Sequence, residues 1–314
     1  MRYGIVVDSC CDLPASIYAQ NRIVIMPIRI RIDGEWFDDD RDPAVRARFF
    51  AKNLGAHSHA AETEPLSVDK VTELFLSRLV IDYDCVFCHT ITTSRSPIYA
   101  NARQAGFAIL QKYQPIRKAA GVPGPFVMRL VDSRNLFAGQ GIGVLEAVRM
   151  IGENATGGAI RERLEFIAEH TYAYMIPRDL YYLRARAQKK GDHSVGWIGA
   201  ALGSALDIKP VLQGFRGETK PVGKVRGFDQ GTSKLFSYVQ ERVQAGLLTP
   251  ALCVSYGGNL AELETMWGYT ALKHTCAEHG VKVYESPMSI TGMVNVGVGC
   301  VAVGFAAPEH KLPF

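Results

Sequence analysis

At 314 residues the chain exceeds what one hydrophobic core ordinarily organises, so two domains are expected, and hydrophobic residues at 47% supply ample core material. The balance of 35 Lys+Arg against 31 Asp+Glu leaves +4, too little to single out nucleic acid or a membrane surface as the partner. A function must therefore be argued from a site.

The N-terminus, MRYGIVVDSC, runs directly into a strand-like segment without a cleavable apolar leader, and no apolar stretch reaches bilayer length. A cytoplasmic protein is expected. Apolar runs predict strands over 4–7, 23–32, 85–91 and 126–131, and helical patterns predict helices over 68–80, 98–113 and 139–151. That alternation indicates a largely parallel, Rossmann-like α/β sheet with crossover helices. Asp33 and Gly34 read as a hairpin turn, so part of the sheet carries an antiparallel ribbon. The glycine-flanked ENATG near 152–158 ends the first domain, which divides the chain into 1–157 and 158–314. Beyond it come a helix over 160–170, a strand over 172–176 and a basic helical stretch. A strand over 208–212 and a Gly/Lys-rich hairpin over 214–225 follow. Helices over 231–245 and 259–279 and strands over 252–256, 281–286 and 298–305 complete an α+β second domain.

Seven cysteines, an odd number with several in apolar runs, read as reduced and buried. Cys85-Val86-Phe87-Cys88-His89 fits the haem-attachment pattern, but in a strand an offset of three puts the two sulfurs on opposite faces, so it reads as a buried strand. The acidic run Asp38, Asp39, Asp40, Asp42 has Pro43 where a calcium loop needs glycine and Phe49 where it needs glutamate, so it reads as a solvated loop. His57 and His59 have no third ligand nearby, and no metal site is expected there. Gly139, Gly141 and Gly143 are not spaced as a dinucleotide fingerprint and read as glycines packing a helix on a sheet. Asp8 and Ser9 end the first strand, where open α/β sheets place ligand groups; they read as caps of the following turn. Thr92, Thr93, Ser94 and Ser96 precede a helix, and hydroxyls with free amides at a helix start make a cup for a carboxylate or phosphate.

Taken in order, these segments resemble the bacterial DegV family over nearly the whole chain. The residues that carry the resemblance are IVVDSCCDLP (5–14), MPIRIRIDGEWFDD (26–39), TTSRSPIYANA (92–102), VDSRNLFAGQGIGVLEA (131–147) and LGSALDIKPVLQGFRGETKPVGKVRG (202–227). The resemblance implies a non-catalytic carrier that binds a long-chain fatty acid, palmitate-like or oleate-like. Its carboxylate would lie at the domain interface and its tail in the second domain, with no cofactor and no metal. It also implies, for some members, an acyl-carrying partnership with a fatty acid kinase; from charge and the lack of a bilayer-length apolar stretch, neither a nucleic-acid partner nor stable membrane insertion is expected. Carried over by position, the head-group residues are Glu62, Thr63, Ser96, Asn295 and Gly297, with Arg226 at the mouth or partner surface and Asp8 and Ser9 as structural caps beside the site.

Departures fall on the head-group loops. The family's T-S-x-P is Glu62-Thr63-Glu64-Pro65 here, its S-G-T is Ser96-Pro97-Ile98, and its H-T-G-P-G is Asn295-Val296-Gly297-Val298-Gly299. The glycine-arginine segment after Leu183 is stretched into RARAQKKGD (184–192), whose Arg184, Arg186, Lys189 and Lys190 form, with Arg226, the surface expected to meet a kinase-like partner. Two carboxylates cannot both ionise cheaply in one poorly solvated cup. Glu62 therefore either turns to solvent and leaves the contact to Thr63, shares a proton with the ligand, or marks a neutral head group. The rival class is an enzyme, a phosphatase or acyl hydrolase using Asp8 or Ser96, for which the sequence displays neither a general base nor a metal set.

Overall fold

The computed structural model describes residues 1–179 and 207–314, with the side chains of 57–59 excepted. The basic stretch 184–192 lies outside the described residues. Three sheets organise the chain. The first comprises β1 (Tyr3–Asp8), β2 (Val24–Met26), β6 (Cys85–Thr90) and β7 (Val127–Asp132), all parallel in the order β2-β1-β6-β7. Every residue of β6 is buried and nearly every residue of β1, which is why these strands read as continuous apolar runs.

The second sheet is antiparallel, β4-β3-β5, from β3 (Ile28–Ile32), β4 (Glu35–Asp39) and β5 (Glu62–Pro65). Ile32 faces Glu35, which leaves Asp33 (φ 51°) and Gly34 (φ 81°) as a two-residue loop; both angles are positive, as a twisted hairpin requires. The run 23–32, expected as one strand, is two strands in two sheets. They part at Pro27, which has no N–H to continue a ladder. Two further expectations change: the 98–113 helix ends at 108 before a second helix, Tyr113–Ala119, and 259–279 divides into a 3₁₀ turn (Leu260–Thr265) and the helix Tyr269–Glu278.

The third sheet has the order β10-β9-β8-β13-β11-β12, from β8 (Thr171–Ile176), β9 (Ile208–Phe215), β10 (Glu218–Arg226), β11 (Ala251–Tyr256), β12 (Lys282–Pro287) and β13 (Val301–Ala306), with only β11 and β12 parallel. Its two faces differ in side-chain size. Tyr172, Tyr174, Val303 and Phe305 point to one face and pack under the helices Phe228–Ala245 and Tyr269–Glu278. Ala173, Ala302, Gly304 and Ala306 alternate with them on the other face. Against that small-residue face lies the helix Ala138–Gly152, which also touches β6. Residues 138–147 of this helix are all buried, as a helix held between two layers must be. Its glycines permit the approach: a Cβ on Gly141 would stand 2.9 Å from Leu13 Cδ2 and 3.2 Å from Cys253 Sγ. The next helix, Gly157–His170, packs on this one and on β7. A division at 157/158 thus falls at the start of the second of the two helices that join the sheets.

Candidate functional site

The carboxyl ends of the first sheet are closed by polar groups that bond to one another. Asp8, fully buried, accepts from Cys10 N at 2.9 Å, Ile91 N at 2.6 Å and Gln140 Nε2 at 3.2 Å. Burial outweighs these donors and pushes its carboxyl up to about 6. Both of its oxygens thus accept hydrogen bonds, and the side chain has no exposed surface. Ser9 Oγ accepts from Ile28 N at 2.9 Å and donates to Asp39 O. Burial also pushes the Cys10 and Cys11 thiols well up, away from thiolate chemistry. Among the described residues no group of three or more His, Cys, Asp or Glu side chains could hold a metal ion.

The hydroxyl-rich segment after β6 divides by task. Thr93 Oγ1 donates to Asp132 Oδ2 at 2.9 Å, while Thr92 and Ser94 donate to Gly217 O, in the hairpin loop between β9 and β10. Arg95 Nη2 adds a bond to Thr219 O at 3.1 Å. These groups therefore fasten the first sheet to the third. Ser96 remains: half-buried, it accepts from Ile98 N at 3.4 Å at the start of the helix Ile98–Ala108, and its hydroxyl proton meets no acceptor among the described residues. Asn101 of that helix donates to Leu66 O at 2.8 Å, which ties the helix to the residue following β5.

β5 separates Glu62 from Thr63 by strand alternation. Arg31 stands opposite Glu62 and pairs with it at 2.6 Å, on an outer face shared with Glu64, Arg29 and the half-exposed Trp36. Thr63 stands opposite the fully buried Ile30, on the inner face. The two neighbours therefore address different surroundings.

Asn295 and Gly297 close the short helix Ile290–Val296. Asn295 Nδ2 donates to Thr291 O at 2.7 Å, and Gly297, at φ 93°, donates its N–H to Met293 O at 2.8 Å. This helix packs on the 3₁₀ turn Leu54–Ala60 that leads into β5; Val298 sits so close to Gly55 that a Cβ there would be 2.7 Å from Val298 Cγ2. The segments bearing Thr63, Ser96, Asn295 and Gly297 thus adjoin one another through the 54–66 stretch.

Arg226 ends β10, at the opposite edge of the third sheet from β12. It lines a cleft of about 720 Å³ with Arg178, Asp207, Lys209, Phe228 and Trp267. Arg178 connects the two regions: its guanidinium lies 4.3 Å from the Phe228 ring centre and 3.4 Å from Tyr256 Oη, and its side chain covers Gly299, two residues beyond Gly297. Sequence reasoning passed over Arg178; its signal was a lone cation directly after the apolar β8.

The acidic run is not a solvated loop throughout. Asp38, Asp40 and Asp42 are exposed, but Asp39 is 2% exposed and accepts from both Thr291 N and Thr291 Oγ1 at 2.7 Å. Beside it Arg41 pairs with the buried Asp12 at 2.6 Å and donates to Pro287 O at 2.7 Å. The correction is physical: a carboxylate within a charge run can be buried when a distant segment supplies its donors.

Comparison with known proteins follows the same length of chain. The profile of the DegV family, described as an uncharacterised protein family, matches residues 2–308. A DegV domain-containing protein of Xanthomonas axonopodis pv. citri is 56% identical over 310 residues, covering 99% of both chains, and one from Xanthomonas campestris pv. campestris is 55% identical over 311 residues, again covering 99% of both. Among solved structures, the chain is similar to DegV from Bacillus subtilis, described as a fatty acid binding protein (TM-score 0.73, 18% identity, 98% of this chain and 100% of that one). It is also similar to a stearic acid-binding protein from Eubacterium ventriosum (TM-score 0.74, 21% identity, 97% and 98%) and to a DegV family protein from Eubacterium eligens loaded with heptadecanoic acid (TM-score 0.72, 21% identity, 98% and 100%).

Proposed function

Because the chain belongs to the DegV family, we propose that it is a carrier, not a catalyst, which holds one long-chain fatty acid with the head group against the first domain and the tail in the second. The observation that carries this reading is the end-to-end similarity to structures described as fatty acid binding, with adjoining segments that bear Thr63, Ser96, Asn295 and Gly297. Thr63, facing inward, and Ser96, with its hydroxyl proton available, are the proposed donors to the carboxylate. Glu62 stays with Arg31 on the outer face, so it imposes no second charge on the cup.

The energetics favour such a division. Burying about fourteen methylenes at ~0.8 kcal/mol each contributes roughly 11 kcal/mol before the entropic cost of association. The tail supplies affinity, and the head group selects and orients, since a buried carboxylate without hydrogen bonds costs several kcal/mol. No cofactor enters this scheme. No described helix is long and apolar enough to cross a membrane, and all seven cysteines are buried and unpaired, which supports the proposed cytoplasmic setting. The exposed Arg226 and its cleft are the proposed surface at which the bound fatty acid would be presented to a kinase-like partner. As the test, delipidated protein is titrated with a fluorescent acyl probe. The carrier reading expects saturation at one probe per chain and displacement by free fatty acid; turnover of generic phosphate or ester substrates with no probe binding would contradict it.

A further inference from the structure

The first domain grips the entrance of the Ile290–Val296 helix at successive residues. Arg41 Nη2 donates to Pro287 O at 2.7 Å, Arg46 Nη1 to Met288 O at 2.6 Å, and Asp12 Oδ1 accepts from Ser289 N at 2.9 Å. Arg46 Nη2 also donates to Gly258 O at 2.8 Å. The innermost grip is Asp39, which takes both the N–H and the hydroxyl of Thr291. Thr291 in turn holds Asn295, whose amide donates to the Thr291 carbonyl at 2.7 Å. A continuous line of bonds therefore runs from Ser9, at the end of β1, through the Asp39 backbone and carboxylate and through Thr291 to Asn295.

A helix of seven residues has too few internal bonds to set its own direction, so its orientation comes from outside. Burying Asp39 would be costly without donors, and both donors come from one threonine, 252 residues away in sequence. Alternative placements of the helix would leave that carboxylate unmatched, so the bond pair selects one placement. We infer that Asp39 is a positioning residue which, through Thr291, fixes the short helix presenting Asn295 to the head group of a bound acyl ligand. The inference rests on the carrier reading of the same site. It adds that the acidic end of β4 sets head-group selectivity without touching the ligand.

The experiment compares full-length wild type, Thr291→Val and Thr291→Ser by competition of a fluorescent acyl probe with palmitic acid and with hexadecanol, alongside thermal melts. Valine removes one of the Asp39 donors at nearly constant shape, while serine retains it. Thr291→Val is expected to reduce the preference for acid over alcohol about tenfold, with alcohol affinity held, and Thr291→Ser to stay within about twofold of wild type. In the Asn295→Ala background Thr291→Val should reduce the preference no further, because it acts through Asn295. A melt lowered by Thr291→Val with the acid-to-alcohol ratio intact would overturn the inference while leaving the carrier reading standing. Wild type that binds neither ligand would overturn both. Should Thr291→Val not fold, Thr291→Ala, which also removes the hydroxyl donor to Asp39 Oδ2, is judged by the same ratio.

Discussion

Replacing Thr63 by Val tests the head-group assignment at the point where the chain departs most from its family. The substitution preserves shape and β-branching on β5 and removes only the hydroxyl. If that hydroxyl donates to a bound carboxylate, its loss costs about 1.5–3 kcal/mol, or roughly 10- to 150-fold in affinity. Glu62→Thr removes a carboxylate whose side chain is 44% exposed and paired with an Arg31 side chain that is 42% exposed, on the opposite face of the strand. A pair so exposed is worth about 1 kcal/mol at most, and screened across the strand its effect on binding should be less than about threefold. Acyl affinities of both variants, measured by probe displacement from pH 6.5 to 8.5, separate the alternatives. The expected pattern is weaker binding by Thr63→Val and near-silence of Glu62→Thr at every pH. The reasoning is refuted if Thr63→Val is silent while Glu62→Thr tightens binding and flattens a pH dependence present in wild type, since that is the behaviour of a proton shared between Glu62 and the ligand.

Ser96→Ala should weaken acyl binding by about 1–3 kcal/mol without lowering the melting temperature appreciably, because the hydroxyl proton has no protein acceptor among the described residues to lose; unchanged affinity would remove Ser96 from the site. His89 is buried with Nδ1 unpartnered, and burial lowers its pKa to about 4. Between the ordinary histidine value near 6.5 and that lowered value the unfolded chain binds a proton that the folded chain refuses, so His89 costs stability as pH falls, about 2 kcal/mol by pH 4.5. Urea unfolding of His89→Leu and wild type at pH 7 and 4.5 should show the difference between them moving by that amount in the variant's favour; an unmoved difference contradicts it. Arg226→Glu should depress phosphorylation of the carried fatty acid by a reconstituted kinase partner while acyl affinity holds, and undiminished phosphorylation would exclude this surface.

Much of the scaffold was legible because its causes are local. The doubly buried β1 and β6 read as continuous apolar runs, and Asp33-Gly34 read as a hairpin because few other pairs tolerate two positive φ angles. The glycines of the 138–152 helix were recognisable as packing residues, although the small-residue face they meet, Ala173 and Gly304 among them, could not be paired with them in advance. What escaped the sequence depends on partners far along the chain. β5 is Glu-Thr-Glu-Pro, too polar and too short to register as a strand, and becomes one only by pairing with β3. Asp39 looks like its exposed neighbours until Thr291 is brought to it. Thr92 and Ser94 are equivalent to Ser96 as letters; the hairpin at Gly217 claims two of the three hydroxyls and leaves the last.

The central claim is that a single acyl chain occupies this protein, and native mass spectrometry of the purified full-length chain, followed by organic extraction, tests it most directly. The account predicts a near-stoichiometric adduct with the mass of one long-chain fatty acid, released on extraction and identified as such. Protein that flies at its bare polypeptide mass, and that also fails to take up a fluorescent acyl probe, would contradict it.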